Sequence, residues 1–296
     1  MYTYTYFELN TYKKLLIFLT IAFLVTIPID IKILTKQQSF AQNLNFPDLF
    51  QSASPPPFDK LSQQQKDAST NKTCTLTPSL IEVEGTPQQI EGPYFVDGMS
   101  NRSDLRSEPS DNSIQEGIAL NITVSVYKVL NSDGDGKGTC VPFSGAKLDL
   151  WEANSQGLYS GVREDGTEGL VYLRGYQTTD ENGTANFETI YPGWYENRAI
   201  HIHLKVRDFE GPEKIFDWTS QVYLNNSINE LVHTQPPYSN HGPVPMTNEQ
   251  DFIFMGPSTD GLIKNNTGNH LMLNISHSDG GYNGIFNVGL NATSIS

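Results

Sequence analysis

Within nine positions the chain sets a tyrosine, an arginine and two histidines: Tyr195, Arg198, His201 and His203. Ile200 to Val206 reads as a strand, and because successive strand side chains point to opposite faces, His201 and His203 emerge on the same side. Two imidazoles placed this way can share one metal ion. An isolated His-x-His is more often a half-exposed strand, so the meaning of the pair depends on what the rest of the chain brings to it. A second informative stretch lies upstream, Gly145 to Gly161 (GAKLDLWEANSQGLYSG). There a strand ends at Trp151, an Ala-Asn-x-x-Gly turn follows, and Tyr159 is presented just beyond it. Alone, a tyrosine after a turn is packing or surface.

The elements that must position these residues are short alternating runs punctuated by Gly, Asn and Pro. Leu120 to Val126 alternates Leu, Ile, Val and Val on one face, and Leu148 and Leu150 alternate with Lys147 and Asp149. Ala185 to Ile190, Ser220 to Leu224, Asp251 to Met255, His270 to Ile275 and Gly284 to Val288 read similarly. Strands at this spacing, with no convincing amphipathic helix between them, predict an all-β fold, an antiparallel β-sandwich. Asn182-Gly183 between two such runs is a hairpin signal. Asn131 to Gly138 (NSDGDGKG) superficially resembles a calcium loop, but the position of the bidentate Glu falls on Pro142, so a polar hairpin tip is the better reading. No Gly-rich phosphate loop, Gly-x-Ser-x-Gly elbow or His-Glu-x-x-His helix is present. Many hydrolase and nucleotide chemistries therefore have no support.

A chain of 296 residues, 37% hydrophobic, can bury a substantial core. Its formal net charge of −14 argues against a surface for nucleic acid or anionic lipid. At the start, Lys13 and Lys14 precede an uncharged run from Leu15 to Ile29, and a small-x-small site, Ser39-Phe40-Ala41, follows. This pattern predicts an export signal over residues 1–41, or a membrane tether through residues 15–29, and an exported protein, extracellular or held at the outer face of the cytoplasmic membrane. Residues 42–73, rich in Gln, Ser and Pro, read as a linker, and residues 74–296 as the β-sandwich domain. The two cysteines, Cys74 and Cys140, are an even pair in an exported chain and are expected to be bridged.

Taken together, Trp-x-Ala-Asn-x-x-Gly-x-Tyr at Trp151 to Tyr159 and Pro-Gly-x-Tyr…Arg-x-x-His-x-His at Pro192 to His203 resemble the intradiol ring-cleavage dioxygenases, specifically their protocatechuate-dioxygenase-like and exported branches. The resemblance extends through Thr86 to Val96 (TPQQIEGPYFV), Leu173 to Ile190 (LRGYQTTDENGTANFETI), Ser220 to Leu224 (SQVYL), Asp251-Phe-Ile-Phe and Gly281-Tyr282. It implies non-haem Fe(III) held by Tyr159, Tyr195, His201 and His203. Two phenolates and a hydroxide neutralise a hard trivalent cation, and neutral imidazoles complete its shell. The resemblance further implies a catechol-type substrate and O2, with the ring opened between its two oxygenated carbons to a muconate-type diacid. Tyr195 would leave the metal and accept a substrate proton, Arg198 would stabilise developing negative charge, and Gln221 would line the pocket.

Some features depart from the pattern. Glu152 and Ala153 follow Trp151 where the exported branch often carries His and Cys, so any supporting role there is lost. The acidic loop Gly161 to Leu170 follows Tyr159 closely enough to border the pocket, as a lid or as an ordinary solvated loop. Residues 42–73 are too short and polar for the helical dimerisation domain of the catechol branch. His233, His241, His270 and His277 match no motif. Two other readings compete: a non-catalytic exterior module binding an aromatic or glycan ligand, and a copper or zinc protein using His201 and His203 alone. The first needs no four-donor set, and the second has no use for two tyrosines.

Overall fold

A computed structural model describes residues 72–74, 85–130, 138–256 and 267–291, all within one compact unit, Ser62–Ser296. The expected signal segment, nearly all of the linker and the polar tip at 131–137 lie outside the described residues, as does the side chain of Cys74. Among the described residues no helix is long and apolar enough to cross a membrane.

Among the described residues ten strands form two packed sheets: β1 (Lys72–Cys74), β2 (Ala119–Leu130), β3 (Gly138–Pro142), β4 (Lys147–Trp151), β5 (Arg174–Thr178), β6 (Thr184–Ile190), β7 (His201–Glu210), β8 (Glu213–Tyr223), β9 (Asn274–Ser278) and β10 (Gly281–Asn291). The first sheet runs β1-β3-β2-β10-β9, with β6 also paired to β2; the second runs β5-β4-β7-β8. Strand alternation makes the interior. Leu120, Ile122, Val124 and Val126 of β2 pack with Leu148 and Leu150 of β4 and with Ile202, Leu204 and Val206 of β7. Each such side chain contributes about 1.5–3 kcal/mol by leaving water. Cys140 on β3 is disulfide-bonded.

The expected sandwich is present, with corrections in detail. β10 runs parallel to β2, in register from Gly281↔Ala119 to Asn291↔Val129, whereas every other strand pair among the described residues is antiparallel. A parallel neighbour needs a long crossover, and here the whole second sheet lies between the two strands in sequence. The Asn182-Gly183 turn forms, with Asp180 and Thr184 closed by an N–H to carbonyl bond of 2.9 Å. It does not make a hairpin, because β5 belongs to one sheet and β6 to the other. The run at 251–255 is helical: Asp251 caps α2 (Phe252–Met255) by accepting from the amides of Ile253 and Phe254. The run at 270–275 begins as the end of a 3₁₀ turn, Thr267–His270, and becomes strand only at Asn274. A helix that the alternating runs did not announce, α1 (Asn226–His233), is capped by Asn225 and follows β8.

The first seven residues of β7 are all buried. Its odd positions, His201, His203, Lys205 and Arg207, lie opposite the apolar face and are covered by the segment 85–97. That segment is tied down by Gln89 N–H to the Thr219 carbonyl (3.0 Å), Lys205 to Glu91 (2.5 Å) and Arg207 to Asp97 (2.8 Å). This covered polar face is where the chemistry-bearing residues meet.

Candidate metal centre and active site

Register carries three functional positions into one row: Trp151 on β4 faces His203 on β7, and His203 faces Gln221 on β8. His201, one step along the same face, pairs with Tyr223. The two tyrosines come from loops rather than strands. Asn154 turns the chain after β4, its side-chain oxygen accepting from the amides of Gln156 and Leu158 (3.0 Å each). Two glycines then let the Tyr159 loop and the Tyr195 loop touch. A Cβ on Gly157, at φ 78°, would lie 2.1 Å from the Trp194 carbonyl oxygen, and one on Gly193 would lie 2.5 Å from that of Asn154. The Ala-Asn-x-x-Gly and Pro-Gly motifs thus have a common purpose: they bring two phenol-bearing backbones into contact.

The donor atoms converge. His201 Nε2 lies 3.1 Å from His203 Nε2 and 3.2 Å from the Tyr195 hydroxyl. His201 Nδ1 is 2.6 Å from the Ala199 carbonyl, which makes Nδ1 the donor and leaves Nε2 a lone pair. Two imidazole nitrogens facing one another at such a distance fit a shared cation better than a direct hydrogen bond. Neighbouring ligands about 2.1 Å from one metal are separated by roughly this distance. His203 is fixed by Trp151, whose ring stacks on it at 4.7 Å and 9°. Tyr94 stacks on Tyr159 at 4.6 Å, and Tyr159 meets Tyr195 edge-on at 5.6 Å.

Electrostatics test whether a metal fits. Burial, then the charge of Arg198, pushes both imidazoles well below their ordinary range, so they are neutral and free to coordinate. Burial likewise raises the phenols of Tyr159, strongly, and Tyr195. The Tyr159 hydroxyl is wholly buried and has no hydrogen-bond partner, an arrangement that costs about 1–3 kcal/mol unless something binds there. No cluster of three His, Cys, Asp or Glu capable of holding a metal exists among the described residues, so a centre here depends on the phenols. Two phenol oxygens with two imidazoles, without thiolate or carboxylate, suit a hard cation such as Fe(III).

Arg198 points at this cluster. Its Nη1 is 3.3 Å from both the Tyr195 hydroxyl and His201 Nε2, Nη2 donates to Gln221, and Nε donates to Asp251 at 2.9 Å. Gln221 therefore touches Arg198 rather than the tyrosine and histidine donors; its own amide donates to the Ile90 carbonyl at 3.0 Å. Asp251, fully buried, also accepts the Ala199 amide at 2.8 Å, fixing the arginine and the backbone before His201 with one carboxylate. The resemblance includes Asp251 but implies no role for its side chain, although an acid ahead of an apolar run is a helix-cap signal. Tyr94, inside the Glu-Gly-Pro-Tyr stretch, likewise has no role implied by the resemblance. A buried arginine, Arg174, bonds to Ser160, the residue after Tyr159. Its guanidinium donates to oxygens of Ser160 and Tyr94 and to no carboxylate. Desolvation holds it down to about 10, opposed by the phenols of Tyr159 and Tyr172.

The acidic loop after Tyr159 is anchored to it and is no free lid: Thr167 donates to the Tyr159 carbonyl at 2.5 Å, and Asp165 accepts the Tyr159 amide at 3.1 Å. Glu152 forms no hydrogen bond with Tyr159, Tyr195, His201 or His203. It accepts from Thr189, keeps one oxygen unpartnered, and burial pushes its carboxyl well above the usual range. On the phenol side a cavity of about 230 Å³ opens, lined by Tyr159 and Tyr195 together with Tyr94, Leu158, Asp165, Trp194 and Glu196.

Residues 90–228, which contain all six residues expected at the site, match the family model described as Dioxygenase. A catechol 1,2-dioxygenase of Acinetobacter baylyi is 34% identical over 136 residues, 40% of this chain and 40% of that protein. One of Candida albicans is 30% identical over 177 residues, 57% of this chain and 54% of that protein. The chain thus spans about half the length, or less, of these curated relatives. Among solved structures, an intradiol ring-cleavage dioxygenase from Tetranychus urticae superposes with a TM-score of 0.57 at 27% identity, covering 71% of this chain and 96% of that one. Sequence, fold and the geometry of the donors together support the intradiol ring-cleavage dioxygenase family.

Proposed function

We propose that this protein is a non-haem Fe(III) intradiol dioxygenase that opens the ring of a catechol-type substrate with O2. The observation that carries this reading is the convergence of His201, His203 and Tyr195 at 3.1–3.2 Å beside the unpartnered phenol of Tyr159. Those four residues would hold the metal. When bound, ferric iron supplies the positive charge that lets phenols and catechol hydroxyls lose protons at neutral pH, and it couples the electron-rich ring to O2.

The protein's own groups divide the remaining work. Tyr195, half-buried and lining the cavity, is placed to take a proton from a catechol hydroxyl. Arg198, held by Asp251 and Gln221, keeps a guanidinium N–H 3.3 Å from that oxygen, where negative charge grows. Ala199 fixes the tautomer of His201, and Trp151 fixes the plane of His203. The ring carbon–carbon bond between the oxygenated carbons breaks, both atoms of O2 enter, and the diacid contains every atom of the two reactants. Oxygen uptake by iron-loaded protein with catechol, together with ultraviolet absorbance of a muconate, tests this. Stoichiometric uptake with that product is expected; uptake absent at full iron loading, or an extradiol product, overturns it.

We also propose that the protein is exported. The basic-then-apolar segment before Ser39-Phe40-Ala41 supports this, as does the disulfide-bonded state of Cys140. Fractionation of cells producing the full chain should place the protein outside the cytoplasm; recovery only in the cytosol with reduced cysteines contradicts it.

A further inference from the structure

The cavity beside the donors carries information about the substrate that the donors do not. It is lined by ten residues: Tyr159 and Tyr195, three further aromatic rings (Tyr94, Trp194 and His241), Gln156, Gly157 and Leu158, and two acids, Asp165 and Glu196. No lysine or arginine lines it. Its volume of about 230 Å³ falls below the range of pockets for drug-sized ligands, ~300–1,000 Å³, and suits a single substituted ring.

The acids are not neutralised by neighbours. Asp165 spends one oxygen on the Tyr159 amide, and neither Asp165 nor Glu196 forms an ion pair among the described residues. The one arginine of the adjoining loop, Arg163, is paired with Glu168 at 2.7 Å. Arg198 is committed to Asp251 and Gln221 and is not part of the wall. Aromatic faces flanked by uncompensated carboxylates attract cations and repel anions.

We propose that this cavity is a selectivity pocket in which Asp165 and Glu196 admit catechols bearing uncharged or cationic ring substituents and reject carboxylated ones. The proposal rests on the dioxygenase reading for the position of the ring and adds which substituents the ring carries.

The test compares catechol, protocatechuate and dopamine with the iron-loaded full chain. The readouts are kcat/KM by oxygen uptake and Kd by anaerobic titration of the visible spectrum. The wild type should favour catechol and dopamine over protocatechuate by about tenfold or more. Glu196→Lys should shrink the dopamine-to-protocatechuate ratio about tenfold, and Asp165→Asn, which keeps an acceptor for the Tyr159 amide, should shrink it less. Added salt should narrow the wild-type ratio. Equal or better use of protocatechuate by the wild type, or a ratio unmoved by both substitutions, overturns the proposal. Selective binding without ring opening upholds the pocket and overturns the dioxygenase reading instead.

Discussion

The two sheets bury their strands in different ways. In the first sheet, β6 alternates buried and exposed positions along most of its length, the pattern of a sheet with one face in the core and one in water. In the second, β7 is buried at seven consecutive positions, four of them polar or charged: His201, His203, Lys205 and Arg207. The first sheet is a support, and the second is a support on one face and a reaction surface on the other. Buried polar side chains are costly unless each is partnered. The second sheet meets that requirement with ion pairs at Lys205 and Arg207, while its donors are left facing one another.

Five substitutions separate the two sheets. Tyr159→Phe removes the unpartnered phenol, and both iron affinity and ring opening should fall by well over the 10–100-fold typical of outer-shell changes, read by metal analysis and oxygen uptake. Phe187→Ala in β6 truncates a side chain 1% exposed in the common core. It should cost about 3–5 kcal/mol in denaturant unfolding yet leave metal content and kcat intact below the transition. If it abolished the visible spectrum of the folded protein, the division of labour between the sheets would be wrong.

Arg198→Gln should lower kcat roughly 10²–10³-fold with the iron retained. Asp251→Asn, which keeps a cap acceptor for α2 but loses the charge holding Arg198, should lower kcat less and leave KM nearly unchanged. A larger loss in Asp251→Asn than in Arg198→Gln would assign Asp251 a different role. The smallest effect is expected at Glu152. Its folded carboxyl is raised, so the folded state binds a proton that the unfolded chain releases earlier. Stability is full below the ordinary carboxylate range and declines as pH rises toward the raised value. Glu152→Gln should flatten that decline in melting temperature measured between pH 4 and 8; an unchanged slope would show that Glu152 is ionised in the fold.

What was legible in the chain follows the same division. Alternation in Leu120 to Val126 and in Ile200 to Val206 is a local signal, and both runs form strands as expected. His201, His203, Tyr159 and Tyr195 sit in short motifs whose glycines and turn residues mark their own geometry. Long-range relations were not legible. Nothing local in Gly284 to Val288 tells that β10 lies parallel to β2. The Asn-Gly signal at 182–183 specified a turn but not the sheets its arms would join. Helix α1 was hidden because two of its three buried residues, Asn229 and His233, are polar. Asp251 reaches Arg198 from 53 positions away, so only the folded chain reveals that it holds the arginine.

The most direct measurement is the metal content and visible spectrum of the purified full chain after reconstitution with iron. About one iron per chain is expected, with a burgundy-to-brown tyrosinate-to-Fe(III) charge-transfer band that is altered in Tyr195→Phe. Protein that remains colourless and metal-free, or a band indifferent to Tyr195, contradicts the four-donor centre.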